Sequence, residues 1–68
     1  RTAAASPDDP WIARLRASLG SALRRRGQAG AAERELSAAL ASLEKILGAD
    51  HRRTVRVREE LEQLRAAD

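Results

Sequence analysis

The sequence predicts an all-α fold, an antiparallel helix hairpin followed by a third helix. Ala, Leu, Arg and Glu, which favour helices, dominate the 68 residues, whereas strand-forming residues are scarce, with one Trp and no Phe or Tyr. Apolar residues recur at helical spacing in three segments. Residues that start or end helices lie between these segments, which supports the division into three helices.

Length and composition limit the classes of function. A chain this short has a marginal core, and without cysteine it has no disulfide or thiolate metal site. It has neither an apolar run long enough to cross a membrane nor a signal peptide pattern, so we expect a cytoplasmic protein. The bias towards Arg and Ala is typical of GC-rich bacteria. Because the first residue is Arg1, we expect the chain to start inside a longer protein.

The first helix is predicted over residues 10–26, after a small, polar and flexible arm at residues 1–8. Asp9 is the expected N-cap, and Pro10 suits the first helical position. The apolar stripe comprises Trp11, Ile12, Leu15, Leu19, Ala22 and Leu23. We expect this stripe to face the core. For Trp11 the alternative is an anchor at an interface, where Trp is common.

A tight turn at residues 27–30 is predicted to join the first two helices, with Gly27 as a left-handed terminator. The second helix is predicted over residues 31–47, ending at Gly48. Because the turn is short, the two helices should lie antiparallel. The apolar stripe of the second helix comprises Ala32, Leu36, Ala39, Leu40, Leu43, Ile46 and Leu47.

The third helix, predicted over residues 52–66, starts after a cap supplied by Asp50 or His51. Its apolar stripe is thin, so it should lie on the hairpin, on a neighbour or on both. The stripe comprises Val57, Leu61 and Leu64, with Val55 at its flank. Ion pairs within the helix are available between Arg56 and Glu59 and between Arg58 and Glu62.

The chain contains a weak internal repeat. A shift of 42 residues places the first helix on the third, so that caps and apolar stripes align together. The matched residues include Asp8 with Asp50, Arg14 with Arg56, Leu15 with Val57, Arg16 with Arg58, and Leu19 with Leu61. The pattern is a helix pair followed by the first helix of a second unit.

Two sets of residues resemble the tetratricopeptide repeat family. Leu19-Gly20, Gly27, Ala32, Leu36 and Ala39-Leu40 are similar to its spaced signature. Residues 47–54 resemble the joint L-G-x-x-H-P-x-T of the longer repeats in kinesin light chains and many bacterial proteins, although Arg52 stands at the Pro position. The resemblance covers residues 8–68. It implies a C-terminal fragment of a helical solenoid, with the third helix as a polar cap.

The resemblance implies a non-enzymatic scaffold that binds a partner segment or a neighbouring domain. In this family the first helices of successive repeats form a concave face. The positions matched to that face predict partner-binding residues at Arg14, Ser21, Arg24, Arg25, Arg56 and Gln63, with Ala17 and Glu59 beside them. Because arginine binds carboxylates in a bidentate way, the partner is expected to be a protein or peptide with acidic side chains. No cofactor or metal is expected.

Other functions remain open. One is homo-oligomerisation, as a homodimer, through an apolar edge at Leu43, Leu47, Leu61 or Leu64. Another is attachment to a bacterial signalling protein, such as a serine/threonine kinase or a transcriptional regulator, that supplies the chemistry.

Features that could indicate other chemistry have structural explanations. His51, the only histidine, has no second metal ligand or nucleophile in a recognisable pattern and is interpreted as a helix-start residue. The run at residues 24–26 fits the positive charge expected at a helix C-terminus. Nucleic-acid binding is not favoured, because the excess charge is small and no aromatic residues interleave with the arginines.

Overall fold

A computed structural model describes residues 9–66, which form three α-helices: α1 (Pro10–Arg25), α2 (Ala29–Leu47) and α3 (Arg52–Ala66). The predicted all-α fold is therefore confirmed. α2 packs against both other helices, whereas α1 and α3 approach each other only over a short stretch. The predicted arm at residues 1–8 lies outside the described residues. The Cα positions span 42 × 24 × 12 Å, so the helices form a thin slab in which each keeps an exposed side.

Local sequence signals set both ends of α1. The N–H of Trp11 donates to the Asp9 carboxylate at 2.8 Å, which satisfies one of the free backbone donors of the first turn. At the other end Gly27 has a φ of 81°, and the N–H of Gln28 donates to the carbonyl of Leu23 at 2.9 Å. This is the hydrogen bond that closes a Schellman motif. The cap at Asp9 and the terminator at Gly27 were both predicted correctly.

The turn between α1 and α2 is shorter than predicted. α2 begins at Ala29 rather than at residue 31, and the N–H of Ala32 donates to the carbonyl of Gln28 at 2.9 Å. Gly30 is therefore helical and not part of the turn. Gly27 alone reverses the chain, so a second glycine with positive φ is not needed here.

The face of α1 that packs in the core differs from the prediction. Small residues, Ala13 and Gly20, are fully covered, because they allow α1 to approach Leu36 of α2 closely. Ile12 and Leu23 of the predicted core stripe are partly buried, but three other large residues of that stripe are well exposed. Their exposed fractions are 61% for Trp11, 49% for Leu15 and 49% for Leu19.

The core is built mainly by α2, as its stripe predicts. Leu36 and Leu43 are its largest fully buried apolar side chains, and they form one cluster with Val57 and Leu61 of α3. The open apolar edge expected for self-association is therefore wrong at Leu43 and Leu61, which are 1% and 4% exposed. Both side chains are covered because α3, which carries Leu61, packs on the face of α2 that carries Leu43.

The start of α3 settles which of two candidate residues caps it. The N–H of Arg53 donates to Nδ1 of His51 at 3.1 Å, so the imidazole serves the first turn of the helix. The backbone carbonyl of His51 also accepts from the N–H of Val55 at 2.9 Å. His51 is thus a structural residue at the helix start, as predicted. The side chain that caps α3 is that of His51 and not that of Asp50.

The ion pairs on α3 connect helices rather than turns of one helix. Arg58 lies 3.6 Å from Glu44 and donates to the carbonyl of Ala49 at 2.9 Å, and Arg65 lies 2.9 Å from Glu33. The predicted pairing within the helix is therefore wrong for Arg58. These side chains are partly exposed, so each pair contributes only about 0.2–1 kcal/mol, and both pairs join α3 to α2.

Thr54 is buried in the first turn of α3, where its hydroxyl has no hydrogen-bond partner among the described residues. An unpaired buried hydroxyl costs about 1–3 kcal/mol, so Thr54→Val should raise the free energy of unfolding by roughly 1 kcal/mol or more. Urea denaturation followed by circular dichroism measures the change. Thr54→Ser, which keeps the hydroxyl and removes the methyl group, should lower stability. A loss of stability in the valine variant would contradict the prediction.

Candidate partner-binding groove

An open groove runs between α1 and α3, with α2 beneath it. Leu43 of α2 and Val57 of α3 border the groove but are almost fully buried, and Asp50 and His51 of the α2–α3 joint also line it. The other lining residues are Arg14, Ala17, Ser18, Ser21, Arg24 and Arg25 from α1, and Arg52, Arg53, Val55, Arg56, Glu59, Glu60 and Gln63 from α3. All six residues expected to bind a partner thus lie along one groove.

Part of the groove is occupied by the protein's own hydrogen bonds. Glu60 accepts from the hydroxyl of Ser21 at 2.8 Å and from the guanidinium of Arg24 at 3.3 Å. Arg24 also donates to the side-chain oxygen of Gln63 at 3.3 Å. These contacts join α1 to α3, so Ser21, Arg24 and Gln63 serve first to hold the two walls together.

Glu60 is the residue of this network that sequence analysis missed. Its position along α3 does not by itself predict a contact with α1, since the contact depends on how the two helices converge. The available signal was indirect. Glu60 lies four residues after Arg56, so a helix places both on the same side, facing the first helix of the repeat.

Other arginines of the groove keep their charge available. Arg25 and Arg56 are exposed and make no hydrogen bond or ion pair within residues 9–66. The guanidinium of Arg14 lies 5.9 Å from the centroid of the Trp11 ring, within the range of a cation–π contact. That contact orients Arg14 without neutralising it. The unpaired guanidinium groups are therefore on both walls, on α1 and on α3.

The charge of the molecule is concentrated in this groove. Six arginines and three carboxylates line it, which gives a net charge of +3 with His51 neutral. Residues 9–66 contain 12 basic and 8 acidic side chains, a net charge of +4. The groove therefore carries three of the four excess positive charges of the described residues.

Neither a metal-binding cluster nor a membrane-spanning helix occurs in the part of the chain that the structure describes. Within residues 9–66 no group of three or more His, Cys, Asp and Glu side chains is arranged to hold a metal ion. None of the three described helices combines the length and the apolar character needed to cross a bilayer. Comparison of the chain with protein-family models, curated proteins and solved structures gives no match.

Proposed function

We propose that this protein is a non-enzymatic interaction module that binds an acidic segment of a partner protein in the groove between α1 and α3. The observation that carries the proposal is the position of the charge, because the groove holds three of the four excess positive charges of the described residues. A surface that only solvates the protein has no need of this arrangement, whereas a carboxylate-bearing partner is attracted to it and held in register.

The groove offers two kinds of contact to such a segment. Arg25 and Arg56, which have no internal partner among the described residues, present guanidinium forks to carboxylates from opposite walls. Ala17 and Val55, which line the groove and are partly exposed, offer a small apolar patch for a side chain between those carboxylates. The Ser21–Glu60 bond keeps the walls at a fixed separation, so little ordering is needed when the segment binds.

The resemblance to tetratricopeptide repeats agrees with this function. The proposed segment would lie on the side formed by α1 and α3, which are the equivalent helices of the 42-residue repeat. We extend the proposal to a scaffold in a cytoplasmic bacterial protein, with a signalling protein such as a kinase or a transcriptional regulator as the source of any catalytic activity.

Charge reversal of the two unpaired arginines tests the proposal. The probe is a fluorescein-labelled peptide of eight glutamates, and fluorescence anisotropy measures its affinity. Arg25→Glu with Arg56→Glu should weaken binding about ten-fold or more, since each replaces an attraction of up to about 1 kcal/mol by a repulsion. The affinity of the unmodified protein should fall as salt is added.

Arg16→Glu with Arg34→Glu is the matched control for this experiment, because it makes the same change in net charge. Arg16 of α1 and Arg34 of α2 are exposed and do not line the groove, so their reversal leaves the site unchanged. It should alter the affinity by less than about two-fold, as expected for distant screened charges. Equal losses in both proteins would show general electrostatic attraction and not a site. Tighter binding of a single-stranded oligonucleotide of equal charge would instead indicate a nucleic-acid surface.

A further inference from the structure

α1 exposes a continuous apolar face that the groove does not use. Trp11, Leu15 and Leu19 follow one another at intervals of four residues, so they lie on one side of the helix. Their exposed fractions are 61%, 49% and 49%. We call these three residues the α1 stripe. Contiguous apolar surface of this kind is typical of a contact site.

The internal repeat indicates what covers such a stripe. The 42-residue shift matches Leu15 with Val57 and Leu19 with Leu61. On α3 these positions are only 7% and 4% exposed, because they pack with side chains of α2 such as Leu43. The chain therefore contains a covered example of the same face, and its cover is an amphipathic helix with leucines on one side.

The two matched helices bury different positions of the aligned sequence. α1 buries Gly20 against α2, whereas the matched position on α3 is the exposed Glu62. α3 in turn buries Leu61, whereas the matched Leu19 on α1 is half exposed. The side that is covered on α1 is therefore polar and exposed on α3. The side that is covered on α3 is apolar and exposed on α1.

Charge beside the α1 stripe defines the chemistry of its occupant. On α3, Arg58 lies beside the covered face and forms an ion pair with Glu44 of α2 at 3.6 Å. The matched residue on α1 is Arg16, which is exposed and unpaired within residues 9–66. α1 contains four arginines and no acidic residue. Two copies of α1 would repel each other, whereas a helix with glutamates beside its leucines would be attracted.

We propose that the α1 stripe docks an amphipathic helix of another polypeptide, one that carries leucines at i, i+4 and i+7 with a glutamate alongside, the pattern of α2. The leucines would cover Trp11, Leu15 and Leu19, and the glutamate would pair with Arg16. This is helix-on-helix recognition through an apolar face, and it is independent of the acidic segment proposed for the groove.

The probe is a synthetic peptide with the sequence of residues 29–47, stapled between positions 34 and 38 on its polar side so that it is helical in solution. Trp11 is the only tryptophan, and the peptide contains no aromatic residue, so the emission of the intact chain reports directly on the stripe. We expect a saturable blue shift as the peptide covers the indole. Leu15→Glu with Leu19→Glu should weaken binding at least ten-fold, and circular dichroism should show that the helices remain.

A charge swap tests the specific pairing. Arg16→Glu should weaken binding of the peptide, and a peptide carrying Glu44→Arg should restore it, whereas Arg34→Glu in the protein should change nothing. Absence of a shift would overturn the proposal. So would a shift that depends on the protein concentration alone, since the occupant would then be a second copy. Binding that survives the two leucine substitutions would place the peptide elsewhere and would also overturn it.

Because the poly-glutamate assay reads the groove through Arg25 and Arg56, failure of either proposal can be distinguished from failure of the other.

Discussion

Leu43→Ala is expected to lower the free energy of unfolding by about 2–5 kcal/mol, the usual cost of removing a buried leucine side chain from a packed core. Leu43 is 1% exposed and clusters with Val57 and Leu61 of α3. A chain of 68 residues has a total stability of only about 3–10 kcal/mol. The variant should therefore lose a large share of its stability, which urea denaturation followed by far-ultraviolet circular dichroism measures.

Leu19→Ala removes the same atoms from an exposed position. Leu19 is 49% exposed, so about half of its transfer free energy is already absent, and the expected loss is about 1 kcal/mol or less. Alanine and leucine have similar helix propensities, so the backbone contributes little to the difference. Similar losses at residues 19 and 43 would contradict the assignment of the core to α2 and α3.

The helices and their caps could be predicted from sequence because their causes are local. Asp9 lies next to the N–H groups that it caps, and Gly27 stands where the chain must adopt a positive φ. The apolar stripe of α2 was also predictable, since it faces both neighbours and is broad. Each of these features depends on residues within one or two helical turns.

The buried face of α1 could not be read from hydrophobicity alone. The stripe of large residues suggests the core, yet the helix packs through Ala13 and Gly20, whose small size lets α1 approach Leu36 of α2 closely. A signal was present, since Ala13 and Gly20 lie seven residues apart on one face of the helix. Choosing between the two faces required knowing how α1 lies on α2, which the sequence of α1 does not encode.

Many of the residues that line the candidate groove could be predicted, but the hydrogen bonds among them could not. The repeat pattern places Arg14 and Arg56 at matched positions, and both line the groove. The engagement of Ser21 and Arg24 by Glu60 depends on the separation and angle between α1 and α3, which sequence spacing does not encode. The structure therefore divides the predicted residues into those that hold the walls and those that remain available to a partner.

α1 has a different role on each of its sides. One side closes against Leu36, a second carries Arg25 into the groove, and a third presents Leu15 and Leu19 without a cover among the described residues. Docking on the third side would be favoured by a rigid α1, and that rigidity depends on the close contact at Gly20.

Gly20→Val should destabilise the protein by about 1–3 kcal/mol or more, because no side chain fits at this position. A Cβ atom at Gly20 would lie 2.7 Å from Cγ and 2.8 Å from Cδ2 of Leu36, and 3.3 Å from its backbone nitrogen. Leu36 is fully buried and cannot move aside without disturbing the core. If Leu36 stays in place, α1 must move outward to relieve the clash. In either case urea denaturation should show a lower midpoint.

Gly30→Val is the matched control, because a Cβ there meets nothing within 4 Å and the residue is helical and exposed. Its effect should stay within about 0.5 kcal/mol. In a Leu36→Ala background, with trimethylamine N-oxide added to keep the chain folded, the cost of Gly20→Val should fall by about 0.5–3 kcal/mol, since the crowded atoms are gone. Strict additivity of the two substitutions would mean that α1 does not depend on this contact for its position, and the close approach of α1 and α2 would then have to rest on Ala13 instead.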